Sequence, residues 1–180
     1  MMDLKGKGGI VFFSRTLRDV HLIKLAWMIP LFTIIAAVLI HILAGNVRDV
    51  PFFISEADHP GLERVVFTSG LFVSACFQCL LSIRLYFLLK EKARMRILLF
   101  ATILGVLSST HLAVLAFADM YDHISLHIYT SMVVFHGGFA WAFATHFSLP
   151  KSASKGRRVR ICSLLIAFTS LLVMSLSIRD

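Results

Sequence analysis

The residues best suited to chemistry gather at one set of boundaries between apolar runs. His41 and His111 lie inside such runs, each expected roughly 8 Å below the membrane surface at that end, at a rise of ~1.5 Å per residue, and His127 opens another. The adjoining polar segments add His59, His123, Glu56, Asp58, Glu63, Asp119 and Asp122. Imidazoles with carboxylates are the donor types of a zinc or other divalent site. A metal hydrolase acting on a lipid head group can be built from them. His41, His111 and His127 are therefore the catalytic candidates, since ionisable groups within a membrane invite a functional reading. The spacing does not specify such a site. There is no His-Glu-x-x-His, nucleophile elbow, phosphate loop or redox signature, so the cofactor stays unknown and no metal ligand set is assigned. Structural roles compete: Ser108, one turn from His111, offers it a hydroxyl, and His136, beside Gly137 and Gly138, suits an interhelical hydrogen bond.

The elements that must hold these groups are transmembrane helices. Of the 180 residues, 58% are hydrophobic and 16% charged, against roughly 45–50% and about 25% in ordinary soluble domains. The excess falls in runs. A span needs about 20 mostly apolar residues, and five segments qualify: Leu25–Ala44, Val65–Leu89, Ile97–Ala118, Ser125–Leu149 and Ile161–Ile178. The expected fold is all-α, a polytopic bundle of about five spans. Residues 1–24 form a basic arm, residues 25–180 the bundle, and residues 45–64 a structured outer loop. Pro30 is expected in the first turn of the first span, where its missing N–H costs little, and Pro150 stops the fourth. The first run is read as a signal anchor rather than a cleaved leader.

Orientation follows from Lys and Arg. One cluster is Lys5, Lys7, Arg15, Arg18 and Lys24; a second is Arg84, Lys90, Lys92, Arg94 and Arg96; a third is Lys151, Lys155, Arg157, Arg158 and Arg160. Only Arg48, Arg64 and Arg179 fall in the alternate loops, where most acids lie. The positive-inside rule then puts the N-terminus in the cytoplasm and the C-terminus outside or in a lumen. The net charge of +8 thus describes topology. A nucleic-acid surface would need a basic face on a soluble domain, so no nucleic-acid partner is expected. Membrane lipids are the expected partners, with Lys155, Arg157, Arg158 and Arg160 the candidate site for anionic lipid at roughly 1 kcal/mol per cation. Arg84, roughly 9 Å inside its span, is expected to snorkel outward. Ile10–Ile23 is expected to lie along the interface as an amphipathic helix.

Small residues mark close helix contact in lipid. Ala101, Gly105 and Ser109, with Ser108 beside them, form one such face. His127, Ser131, Gly138 and Ala142 form another, and Gly70 with Ser74 a third. Cys76 and Cys79, within one span, read as small packing residues rather than a redox or metal pair; Cys162 begins another run.

The first outer loop carries Pro51-Phe52-Phe53-Ile54-Ser55-Glu56, then Pro60, Glu63 and Val66-Phe67; later come His127 with Phe135, and Arg84 with Lys90. Across roughly residues 51–141 this pattern resembles the Frag1/DRAM/Sfk1 family of multi-pass membrane proteins. Glu56 stands where that family prefers Asp, and the sixth span with an embedded acid that the family usually has is not seen, so a partner membrane protein supplying a further helix is one expectation. The resemblance implies a membrane regulator or adaptor binding lipid or a partner protein, in autophagy or phosphoinositide and lipid homeostasis, at endomembranes or the plasma membrane. It also implies an alternative role in remodelling GPI-anchored or other lipids, for instance as a lumenal hydrolase or acyltransferase. A small channel or transporter subunit is a third class, though no span carries a central Asp or Glu. Physically, Ser55 and Glu56 are placed to cap a turn and Glu63 to favour a helix N-terminus, making these three the candidate binding residues of the loop.

Overall fold

The computed structural model describes residues 2–3, 8–12, 15–47, 53–150 and 156–177. Five long helices make up its body: α1 (Asp19–Leu43), α2 (Leu62–Leu89), α3 (Met95–Leu115), α4 (Ile124–Ser148) and α5 (Arg157–Ser177). Short antiparallel strands precede them, β1 (Met2–Asp3), β2 (Gly9–Phe12) and β3 (Arg15–Arg18). The chain is an all-α bundle. Helices α1, α2, α3 and α5 are long and apolar enough to cross a membrane. Helix α4 matches them in length but carries His127, His136 and His146 among hydroxyl and glycine residues, and this lowers its hydropathy below theirs. The expected fourth span is thus present as a helix, set apart by its polarity.

Sequential helices pack side by side, α1 on α2, α2 on α3 and α3 on α4, as short connections require. Gly105 of α3 sits where three helices meet: a Cβ there would collide with the Ser82 hydroxyl of α2 and come within 2.8 Å of Trp141 Nε1 of α4. Gly70 of α2 is likewise closed by Thr33 of α1. Ala101, Ser108, Ser109 and Ser74 are all buried, as their spacing suggests. Within the α4 set, His127 is buried but Ala142 is exposed, and Cys76 is exposed rather than packed.

The start of the bundle differs from expectation in three connected ways. The stretch expected as an amphipathic helix pairs instead as a hairpin, with Gly9 opposite Arg18 and Ile10 opposite Leu17. Val11, Phe12 and Thr16 are strand formers, and Gly9 has no Cβ to strike the Leu17 carbonyl. Helix α1 then begins at Asp19, so Pro30 falls in its interior. Proline leaves the carbonyl four residues earlier without its helical donor. That carbonyl belongs to Ala26, and Gln78 Nε2 of α2 donates to it at 3.4 Å, the kind of re-satisfaction that lets a membrane helix keep a proline. Finally, Arg84 does not snorkel. It is buried and donates from Nε and Nη2 to Asp19 Oδ1 and Oδ2 at 2.7 and 3.1 Å. A two-pronged pair satisfies a buried guanidinium where bulk water does not reach it.

Candidate functional site

Polar side chains collect at two ends of the bundle, and their geometries differ. At the end holding the α1–α2 and α3–α4 connections, the first outer loop folds as a short 3-10 helix, Ile54–Asp58. Glu56 Oε1 accepts the Phe53 backbone N–H at 2.8 Å and so caps the turn. Ala57 is fully buried and joins a core of Ala37, Phe67, Leu71, Leu112 and Leu115. The loop is therefore anchored by packing as well as by capping. Ser55, expected to share the capping, makes no side-chain hydrogen bond among the described residues; Pro51 and Phe52 lie outside them.

Glu63 stands at the centre of one half of this cap. Its Oε1 accepts from Asn46 Nδ2 at 2.7 Å and lies 3.4 Å from His41 Nδ1 and 3.7 Å from His59 Nδ1. His41 and Glu63 are both buried, so each supplies the other with a polar partner inside an apolar setting. The His59 ring meets Tyr121 edge-on at 5.3 Å, and the Tyr121 hydroxyl donates to the Glu56 carbonyl at 3.0 Å. Arg64 organises the second half. Its guanidinium lies 3.8 Å from Asp58, 3.4 Å from Asp119 and 3.5 Å from Asp122, joining the first outer loop to the α3–α4 connection. Asp119 Oδ1 also accepts the backbone N–H groups of Tyr121 and Asp122 at 2.9 and 2.7 Å, a local Asx turn.

Two of these carboxyls are perturbed in opposite directions. Burial pushes Asp58 up to about 7, with Arg64 pulling down and Asp119 pushing up; neither of its oxygens accepts a hydrogen bond among the described residues. Burial also works against ionised Asp119, but the two backbone donors, Arg64 and His123 outweigh it and hold its carboxyl below the usual range.

The catalytic candidates do not converge. His41 is tied to Glu63. His127 is buried and its Nδ1–H donates to the Ala118 carbonyl at 2.7 Å, closing the α3–α4 connection. His111 turns back onto its own helix, donating to the Leu107 carbonyl at 2.9 Å while its ring meets Tyr129 at 5.8 Å. Ser108, its expected partner, donates instead across to Val134 of α4 at 3.0 Å. His136, expected to bridge helices, is exposed and bonds the Met132 carbonyl of its own helix. No group of three or more His, Cys, Asp or Glu suited to hold a metal ion occurs among the described residues. His59 was expected among the polar groups at this end, whereas Asn46 and Arg64 were not foreseen as parts of the cap. The only local signal was an arginine standing alone among acids.

The opposite end is open. Helix α5 rests mainly on α4, and no residue of its spanning segment is buried. Between the two runs an apolar cleft of about 420 Å³, lined by Phe139, Phe143 and Phe147 of α4 and Ile161, Leu165 and Phe168 of α5. It continues at His146 and Arg157 into a second hollow of about 270 Å³ that Arg94 and Arg160 also line. Two contacts fix this mouth: the Arg94 backbone N–H donates to the Ser148 carbonyl at 2.8 Å, and Arg160 Nε to His146 Nδ1 at 3.4 Å. Arg157 and Arg160, expected to meet anionic lipid, are thus brought together. Arg158 is exposed and lines neither hollow, and Lys155 lies outside the described residues. Set against protein-family models, curated proteins and solved structures, the chain has no match.

Proposed function

We propose that this chain is a non-enzymatic integral membrane regulator or adaptor of the Frag1/DRAM/Sfk1 type, binding membrane lipid at its lateral surface. The observation that carries this reading is the contrast in access. The histidines and carboxylates that suggest catalysis are spent on one another and on backbone groups, while the exposed α4–α5 edge offers an apolar surface with a cationic end. The loop residues that carry the family resemblance support it too. Glu56 caps the 3-10 turn and Glu63 holds His41 and Asn46, so the motif builds a rigid lid over the bundle. With the basic connections facing the cytoplasm, that lid faces a lumen or the outside, at an endomembrane or the plasma membrane.

The test is a mass balance. The purified full chain, incubated with a defined mixture of phospholipids and a glycosylphosphatidylinositol, is expected to retain lipid and leave its acyl and head-group composition unchanged. Appearance of lysolipid, free head group or acyl-exchanged product, lost in His41→Ala, would overturn the reading in favour of lipid remodelling.

A further inference from the structure

We infer that the cleft between α4 and α5 is a binding site for an anionic phospholipid, with the phosphate held by Arg94, His146, Arg157 and Arg160 and an acyl chain lying along the phenylalanines. This rests on the lipid-binding reading above and assigns it a place and a ligand class.

The two hollows share His146, Phe147 and Arg157 in their walls, so they form one continuous groove with a polar mouth and an apolar floor. An amphiphile with an anionic head matches that division; a soluble anion would leave the apolar floor uncovered. Charge complementarity selects the sign. The mouth is built from three places in the chain, the α2–α3 connection, the last turn of α4 and the first turns of α5, and each brings cationic or imidazole groups. Guanidinium forks suit phosphate oxygens in paired hydrogen bonds. Like charges drawn together repel, and α5 sets basic residues, with no acid, in its first turn, at the positive end of its helix dipole. A phosphate at the mouth offsets both costs. Arg84, which is buried, already has Asp19 as its counterion, whereas no Asp or Glu lines this mouth among the described residues.

The apolar floor suits an acyl chain lying against the protein. Phe139 and Phe168 rings meet at 5.9 Å, and Phe143 and Phe147 rings at 4.6 Å, both pairs tilted, so the wall the chain would lie along is made of aromatic rings held by one another.

The experiment is native mass spectrometry of the purified full chain with dioleoyl phosphatidylglycerol or dioleoyl phosphatidylcholine as the probe, at low and high salt. Wild type is expected to retain phosphatidylglycerol preferentially. Arg157→Gln and Arg160→Gln should each weaken that retention about fivefold, Leu165→Trp should weaken it without changing charge, and Arg158→Gln should not. Unchanged melting temperatures in detergent show that each variant is folded. Equal retention of both lipids by all variants would overturn the cleft assignment while leaving general lipid binding in place. Equal loss in Arg158→Gln would also overturn it, in favour of diffuse surface charge. No retained lipid, with α5 cross-linking to a second copy or another membrane protein, would overturn both this site and the lipid-binding reading.

Discussion

The two polar ends of the bundle use similar side chains to opposite effect. At the cap formed by the α1–α2 and α3–α4 connections, Arg64 faces Asp58, Asp119 and Asp122, and Glu63 gathers His41, His59 and Asn46. Carboxyls there stand beside guanidinium, imidazole or amide groups of the same chain, and Ala57 carries the loop into the core. At the α4–α5 mouth, arginines converge with histidine around an apolar cleft and no carboxylate lines it among the described residues. Residue type is much alike at the two ends; what differs is whether carboxylates stand among the cations and imidazoles of the described residues. Arg84 makes the same point: it lies toward the basic end yet belongs with the cap in kind, because Asp19 completes it.

The comparison can be broken most sharply at Glu63. Glu63→Ala would leave His41 buried beside a void and strip Asn46 of its acceptor, at a cost of about 3 kcal/mol in unfolding free energy. Denaturation in detergent measures it, and lipid retention should be unaffected. Arg64→Gln removes a charge that is only partly buried, so its cost is smaller, about 1–2 kcal/mol; proteolysis within residues 45–64 should quicken alongside.

Acidity offers a subtler probe. Asp58 titrates near 7 against an ordinary 3.8, so between those values the folded state holds this proton more tightly than the unfolded chain does. Its contribution to stability is complete below about pH 4 and is lost as pH rises through 7. Asp119 acts oppositely, its contribution being lost only as pH falls through its depressed value. Between pH 5 and 8 the melting temperature should therefore fall, and Asp58→Asn should flatten that slope. A slope unchanged by the substitution would assign the pH dependence elsewhere. The smallest expected effect is at the mouth: Arg157→Gln should move stability by less than about 0.5 kcal/mol, since no packing depends on that charge.

Much of the bundle was legible from hydropathy, because lipid demands long apolar helices whatever their tertiary partners. The ends of α2 to α5 fall within a few residues of the runs that foretold them. The start of α1 was not legible. Asp19, His21 and Lys24 interrupt its apolar residues, and what makes this stretch helical includes the pairing of Asp19 with Arg84, residues 65 apart in the chain. Pro30 was misplaced for the same reason, since its tolerance inside a helix depends on Gln78 from another one. In the cap, Glu56 and Glu63 stood out because carboxylates near helix starts have local meaning. Asn46 and Arg64 did not, since their partners come from the folding of two connections against each other. His111 was singled out by residue type alone, and its ring is satisfied one turn back on its own helix.

The division between a closed structural cap and an open cleft that we propose holds lipid is tested most directly by one paired reading on two variants. Thermal melting with simultaneous measurement of retained phosphatidylglycerol should separate them: His41→Ala melts lower and keeps its lipid, whereas Arg157→Gln melts like wild type and loses it. A His41→Ala protein that keeps its melting temperature and loses its lipid would contradict the division.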